Sequence, residues 1–126
     1  METTFAQAPA ARFTLKQILN FDAATCIAFG LLLVFAAVPL AGLLGLPQSL
    51  LFHAGVVLFP SAALMLFAAS KPTAALVWLV IAGNAAWVLA SIIVAFALEP
   101  TTLGVAFVLV QAIAVLVLMT LELKSR

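Results

Sequence analysis

Few side chains in this chain can do chemistry, and most of those are neutral. The densest group lies in Gly83-Asn84-Ala85-Ala86-Trp87-Val88-Leu89-Ala90-Ser91, deep inside an apolar run. At about 100° per residue, Asn84, Trp87, Val88, Ser91 and Ala95 share one face of a helix. An unpartnered amide is costly in hydrocarbon, so Asn84 is expected to face protein or trapped water. Gln111 lies at similar depth in the following apolar run, and Pro60 with Ser61 in the preceding one. Asn84, Trp87, Ser91, Gln111 and Ser61 thus form a neutral polar layer near mid-membrane. Such a layer can be a ligand-binding pocket for a solute or a lipid-like headgroup. It can equally be interhelical hydrogen bonding that fixes a bundle, at about 0.5–2 kcal/mol per bond. In the second case Asn84 and Gln111 are expected to bond each other, and Trp87 to pack with its N–H given to a neighbouring acceptor.

The opposite face of the same helix carries Ala82, Gly83, Ala86 and Ala90, small residues that let another helix approach closely. Ala37, Ala41 and Gly45 make a comparable stripe on the first run. Both point to helix packing within the chain, in a homo-oligomer or in a larger membrane complex.

The remaining reactive types are isolated. Cys26 is the only cysteine, which excludes an internal disulfide and a multi-cysteine metal site, and its apolar context makes it a small inert hydrophobe. His53 is the only histidine and lacks the partners a metal or haem would need. It reads as an interfacial residue with Glu99 as its expected neighbour. No Gly-rich phosphate loop, Ser/His/Asp set or metal-ligand spacing occurs, so no catalytic residue, metal or cofactor is expected and the chain does not read as an enzyme. A net charge of +1 gives no reason to expect a nucleic-acid partner.

The elements that must hold these residues follow from composition. Of 126 residues, 67% are hydrophobic and 7% charged, against roughly half and a quarter in soluble domains. A chain this short cannot hide so much apolar surface, so its main partner is the lipid bilayer. One transmembrane domain over residues 1–126 is expected. It comprises a tail and amphipathic lead-in over about 1–20, the lead-in either lying at the membrane surface or simply beginning the first helix, then helices over about 21–44, 48–69, 73–98 and 102–123. The first helix is expected to open at Asp22, with Pro39 kinking its far end. Pro60 should free the carbonyl of Val56, with Ser61 compensating on the backbone. Thr73 is the expected N-cap of the third helix. An offset of about 52 residues sets Phe35 on Trp87 and Phe59 on Gln111, but the remaining matches are Ala and Leu and establish no repeat.

The fold class is therefore all-α: a four-helix transmembrane bundle of two antiparallel hairpins. Arg12, Lys16, Lys71, Lys124 and Arg126 all fall at the termini or the second turn, which places both termini in the cytoplasm and the chain in a bacterial inner membrane. On these boundaries Asp22, Lys71, Glu122 and Lys124 stand at the cytoplasmic edge, where pairing would clamp helix ends. No charge is left near the midplane. The size and four-span layout resemble the small multidrug resistance transporters, a family that depends on a carboxylate inside its first helix. With Asp22 at the helix mouth the resemblance is one of architecture, and a proton-coupled exporter is not expected. The expected function is a non-catalytic accessory or scaffolding subunit acting through helix packing. The alternative is a small transporter or binding protein for a neutral or lipid-like solute, with its site at the polar layer.

Overall fold

The computed structural model describes residues 14–125, and these form five helices: α1 (Leu15–Phe35), α2 (Ala37–Leu44), α3 (Gln48–Ser70), α4 (Ala74–Ala97) and α5 (Thr102–Ser125). No strand occurs among the described residues. Four of the helices, all but α2, are long and apolar enough to cross a membrane and mark the chain as a multi-pass membrane protein. Their outer faces carry exposed Phe35, Leu89, Phe96 and Val110, which suits hydrocarbon rather than water.

The first helix departs from expectation at both ends. It starts at Leu15, well before Asp22, because Thr14 and Gln17 form a reciprocal capping box. The Gln17 backbone N–H donates to Thr14 Oγ1 (3.2 Å) and the Thr14 N–H to Gln17 Oε1 (3.0 Å). Residues 15–20 are thus the opening turns of α1, continuous with the rest of the helix, and the expected tail lies outside the described residues. Asp22 consequently sits about two turns inside the helix. The far end breaks at Ala36 (φ −110°, ψ 20°), and α2 continues to Leu44. Pro39 explains the break: it cannot donate to the carbonyl of Phe35, and its ring crowds that group.

The other helices lie within a residue or two of their expected limits. Thr73 caps α4 by accepting the Leu76 N–H at 3.3 Å. Pro60 is accommodated inside an unbroken α3, and Ser61 Oγ donates to the carbonyl of Val57 (2.9 Å) rather than to the freed carbonyl of Val56. His53 bonds the carbonyl of Ser49 at 2.7 Å and meets Phe52 edge-on, with no ion pair to Glu99.

Packing is uneven. α1 lies closely against α3 and α4 against α5, while α1 and α4 make no close backbone approach. The α1–α3 crossing is built on Gly30 and Gly55. A Cβ on Gly55 would stand 2.8 Å from Leu33 Cβ and 3.0 Å from the carbonyl oxygen of Gly30. Cys26 and Met65 meet lower in the same seam at 3.8 Å. The two helix pairs are joined at one end by their turns. Gly45, left-handed at φ 67°, closes α2, and the Thr101 N–H donates to the Leu44 carbonyl at 3.0 Å. Thr101 Oγ1 also donates to the Leu43 carbonyl at 2.9 Å. Gly104 is required beneath this junction, since any Cβ there would run into the Leu44 carbonyl. Phe29 stacking on Phe107, at 5.6 Å between ring centres, adds a second tie between α1 and α5.

Gly104→Ala should therefore lower the unfolding free energy in detergent by about 1–3 kcal/mol, since backbone has to give way. Gly83→Ala, with nothing within 4 Å of the new methyl, should be neutral or stabilise by up to about 1 kcal/mol through helix propensity. Thermal unfolding of the two variants beside wild type checks both signs.

Candidate functional site

Because α1 and α4 stand apart, an intramembrane cleft of about 1440 Å³ opens between the two helix pairs. Its walls are overwhelmingly apolar, with Ile18, Phe29, Leu58, Met65, Val80 and Leu118 among them. Phe21, Val57, Leu79 and Val117 line the cleft and are also more than half exposed, so its mouth opens on the bundle's outer surface. Two polar clusters interrupt the apolar wall.

The first holds Gln111 at its centre. Trp87 Nε1 donates to Gln111 Oε1 at 2.8 Å, and Gln111 Nε2 donates to both Ser91 Oγ and the Val108 carbonyl, each at 2.8 Å. Ser91 Oγ in turn donates to the Trp87 carbonyl at 2.8 Å. Three of the five site residues expected from sequence, Trp87, Ser91 and Gln111, are thus assembled here. Ser61 faces the same cleft from α3, across the gap.

Asn84 is not part of this cluster, contrary to the expected Asn84–Gln111 bond. Gln111 is level with Trp87 and Ser91, about a turn further along α4, and the partners of Asn84 are acids. Its Nδ2 donates to Asp22 Oδ2 at 3.0 Å and to Glu122 Oε1 at 2.9 Å. Asp22 is 2% exposed and Glu122 0%, so protein rather than water surrounds both. The expected clamp with Lys71 and Lys124 does not form: both lysines are exposed, and no ion pair joins described residues. Asp22 Oδ1 is also approached by the Cys26 thiol at 3.9 Å.

Two sequence signals could have found the acids. Glu122 follows Gln111 by eleven residues, about three turns, and so shares its face of α5. Asp22 precedes Cys26 by four on the inward face of α1. What hid them was position: each lies near the end of an apolar run, where a charge ordinarily reaches water.

The small-residue stripe also sits differently from expectation. Ala82, Gly83, Ala86 and Ala90 are all exposed, and no helix of this chain packs on them. Gly83, Ala86 and Ala90 form cleft wall. The close approach expected of them is made instead by Gly30 and Gly55.

The hydrogen-bond inventory defines what the cleft can recognise. Both amide hydrogens of Gln111, both of Asn84, the Trp87 N–H and the hydroxyls of Ser61 and Ser91 are donated within the protein. The unused capacity is acceptor lone pairs, on Gln111 Oε1, Asn84 Oδ1 and the Asp22 carboxyl.

Since the clusters share no partner, Asn84→Leu and Gln111→Leu should each cost about 1–3 kcal/mol, and their double variant should be additive within about 0.5 kcal/mol. A double variant no worse than either single one in chemical unfolding would restore a direct Asn84–Gln111 bond. The chain matches no protein-family model, no curated protein and no solved structure, so its site has to be understood from its own residues and geometry.

Proposed function

We propose that this protein is a small multi-pass membrane protein that binds, and moves or presents, an amphiphilic solute with an apolar body and a hydrogen-bond-donating head. The observation that carries this reading is the cleft itself: a large apolar groove whose deep polar groups, Asn84, Trp87 and Gln111, spend their donors within the protein and keep acceptors to spare. A hydroxyl or an ammonium head meets those acceptors, whereas a carboxylate, which only accepts, finds no donor among these deep groups. The bundle stands as two antiparallel hairpins, α1–α3 and α4–α5, with both termini in the cytoplasm of a bacterial cell. This orientation is supported by the cationic residues gathering at the termini and Lys71.

A second reading is favoured by one specific observation, the exposed stripe of Ala82, Gly83, Ala86 and Ala90. In that reading the chain is a non-catalytic accessory or scaffolding subunit, and a second copy or a larger membrane complex packs on the stripe.

Two measurements test these proposals. Ala86→Phe pushes a ring into the cleft wall. It should abolish retention of a long-chain alcohol or alkylamine in native mass spectrometry, leave the melting temperature within a few degrees, and leave fatty acid unbound as in wild type. A wild-type protein that holds none of these amphiphiles, yet forms an oligomer that Ala86→Phe disperses, would favour the scaffold. For orientation, Thr101→Cys in a Cys26→Ala background should label from outside intact cells with an impermeant maleimide, and Ser70→Cys should not. The reverse pattern would invert the topology.

A further inference from the structure

Asp22 and Glu122 raise a question that cleft binding does not answer. Two carboxyl groups, almost wholly withdrawn from solvent, accept from the two hydrogens of one amide nitrogen. The roughly 120° between those hydrogens holds the acceptor oxygens about 5 Å apart. Bound to one amide nitrogen, the two carboxyl groups are held side by side. Glu122 Oε2 is buried with no hydrogen-bond partner.

Among the described residues, nothing nearby balances two negative charges. The groups around the pair are the Cys26 thiol of α1, the neutral amide of Asn84 from α4 and, beyond the thiol, Met65 from α3. Lys124, two residues from Glu122, is exposed, as are Lys16 and Lys71, and none pairs with either acid. Burying even one uncompensated carboxylate costs several kcal/mol, and a second beside it costs more. The arrangement needs one positive charge at Glu122 Oε2. A multidentate metal is a poor fit, since no group of three His, Cys, Asp or Glu among the described residues could hold one. A proton is a good fit, because it removes one of the two neighbouring charges and can sit on the orphaned oxygen.

We propose that Asp22, Asn84 and Glu122 form a proton-binding site inside the membrane, in which the two carboxyl groups share one proton and Asn84 clamps them together. The bound pair carries a single negative charge, spread over groups that receive both Asn84 hydrogens. Asp22 and Asn84 line the cleft, so the proton exchanges through it, while Glu122 lies behind them. The site shares Asp22 and Asn84 with the cleft wall but does not depend on the ligand proposed above: it would exist whatever the cleft binds, and its test uses no amphiphile.

The test uses intact protein in sodium-free detergent. Infrared difference spectra between about pH 6 and pH 9 should contain the carbonyl band of a protonated carboxyl, well separated from exposed carboxylates. That band should be lost in both Asp22→Asn and Glu122→Gln, since either change dissolves the shared pair. Dicyclohexylcarbodiimide, which reacts with protonated carboxyls in apolar surroundings, should modify Asp22 or Glu122 in wild type and spare the exposed Glu99. The carbodiimide readout needs no variant, so it decides the matter even if a substitution prevents folding. Absence of both band and adduct would overturn the proposal. So would protection by sodium ions at constant pH, which would make the occupant a metal cation. A band that survives in both variants would place the proton elsewhere.

Discussion

A single side-chain amide crosses the gap between the two halves of this protein. Asn84 reaches from α4 to Asp22 on α1 and Glu122 on α5, although α1 and α4 make no close backbone approach. In hydrocarbon there is no hydrophobic force between helices, so association rests on close packing and on hydrogen bonds that water cannot replace. Within each helix pair, packing suffices: Gly30 and Gly55 bring α1 and α3 together backbone to backbone. Between the pairs packing is reduced to contacts such as the Phe29–Phe107 stack, and polar contacts supplement it. The amide bonds are charge-assisted, which makes them stronger than neutral ones, and their loss would strand buried acids.

The join is made near both ends of the bundle, and this is what creates the cleft. At one end the turn after α2 is bonded to the turn before α5 through Leu44, Thr101 and the space left by Gly104. Towards the other lies the Asn84 bridge. Between them the helices stand apart, with a volume of about 1440 Å³ walled by side chains that make few demands of each other. A polar cluster that spends its donors internally, as Gln111 does on Ser91 and Val108, is rigid and still offers acceptors. The same hydrogen bonds that hold α4 against α5 therefore also decide what kind of head group the cleft can accept. Structure and recognition share one set of atoms.

The acids show how burial changes the meaning of a residue. Judged by distance from the ends of apolar runs, Asp22 and Glu122 are boundary residues that water or lysine would neutralise. Helix α1 begins earlier than hydropathy implies because Thr14 and Gln17 cap it while Lys16 is still on its first turn, and that draws Asp22 inward. Glu122 is carried inward by α5 continuing to Ser125 and by its own reach back to Asn84. The layer that reads as neutral thus has, close by, two buried carboxyl groups bonded to one amide.

The amino-acid sequence by itself determined the class of protein and the number of spans, because hydrophobicity over about 20 residues is a local property that no packing can reverse. It determined the limits of α3, α4 and α5 as well, through Pro47, the Thr73 cap and the Glu99-Pro100 turn. It also marked Trp87, Ser91 and Gln111 as one polar set, since residues a turn apart on α4 must share a face. Tertiary structure alone decided the partners. Whether Asn84 met Gln111 or two acids depended on the stagger of α5 against α4 and on α1 lying near enough to contribute Asp22. Likewise Ala82, Gly83, Ala86 and Ala90 were legible as a smooth face. That this face borders a cleft rather than a neighbouring helix depended on how far apart the two pairs stand, a distance set by glycines and turns remote from it in sequence.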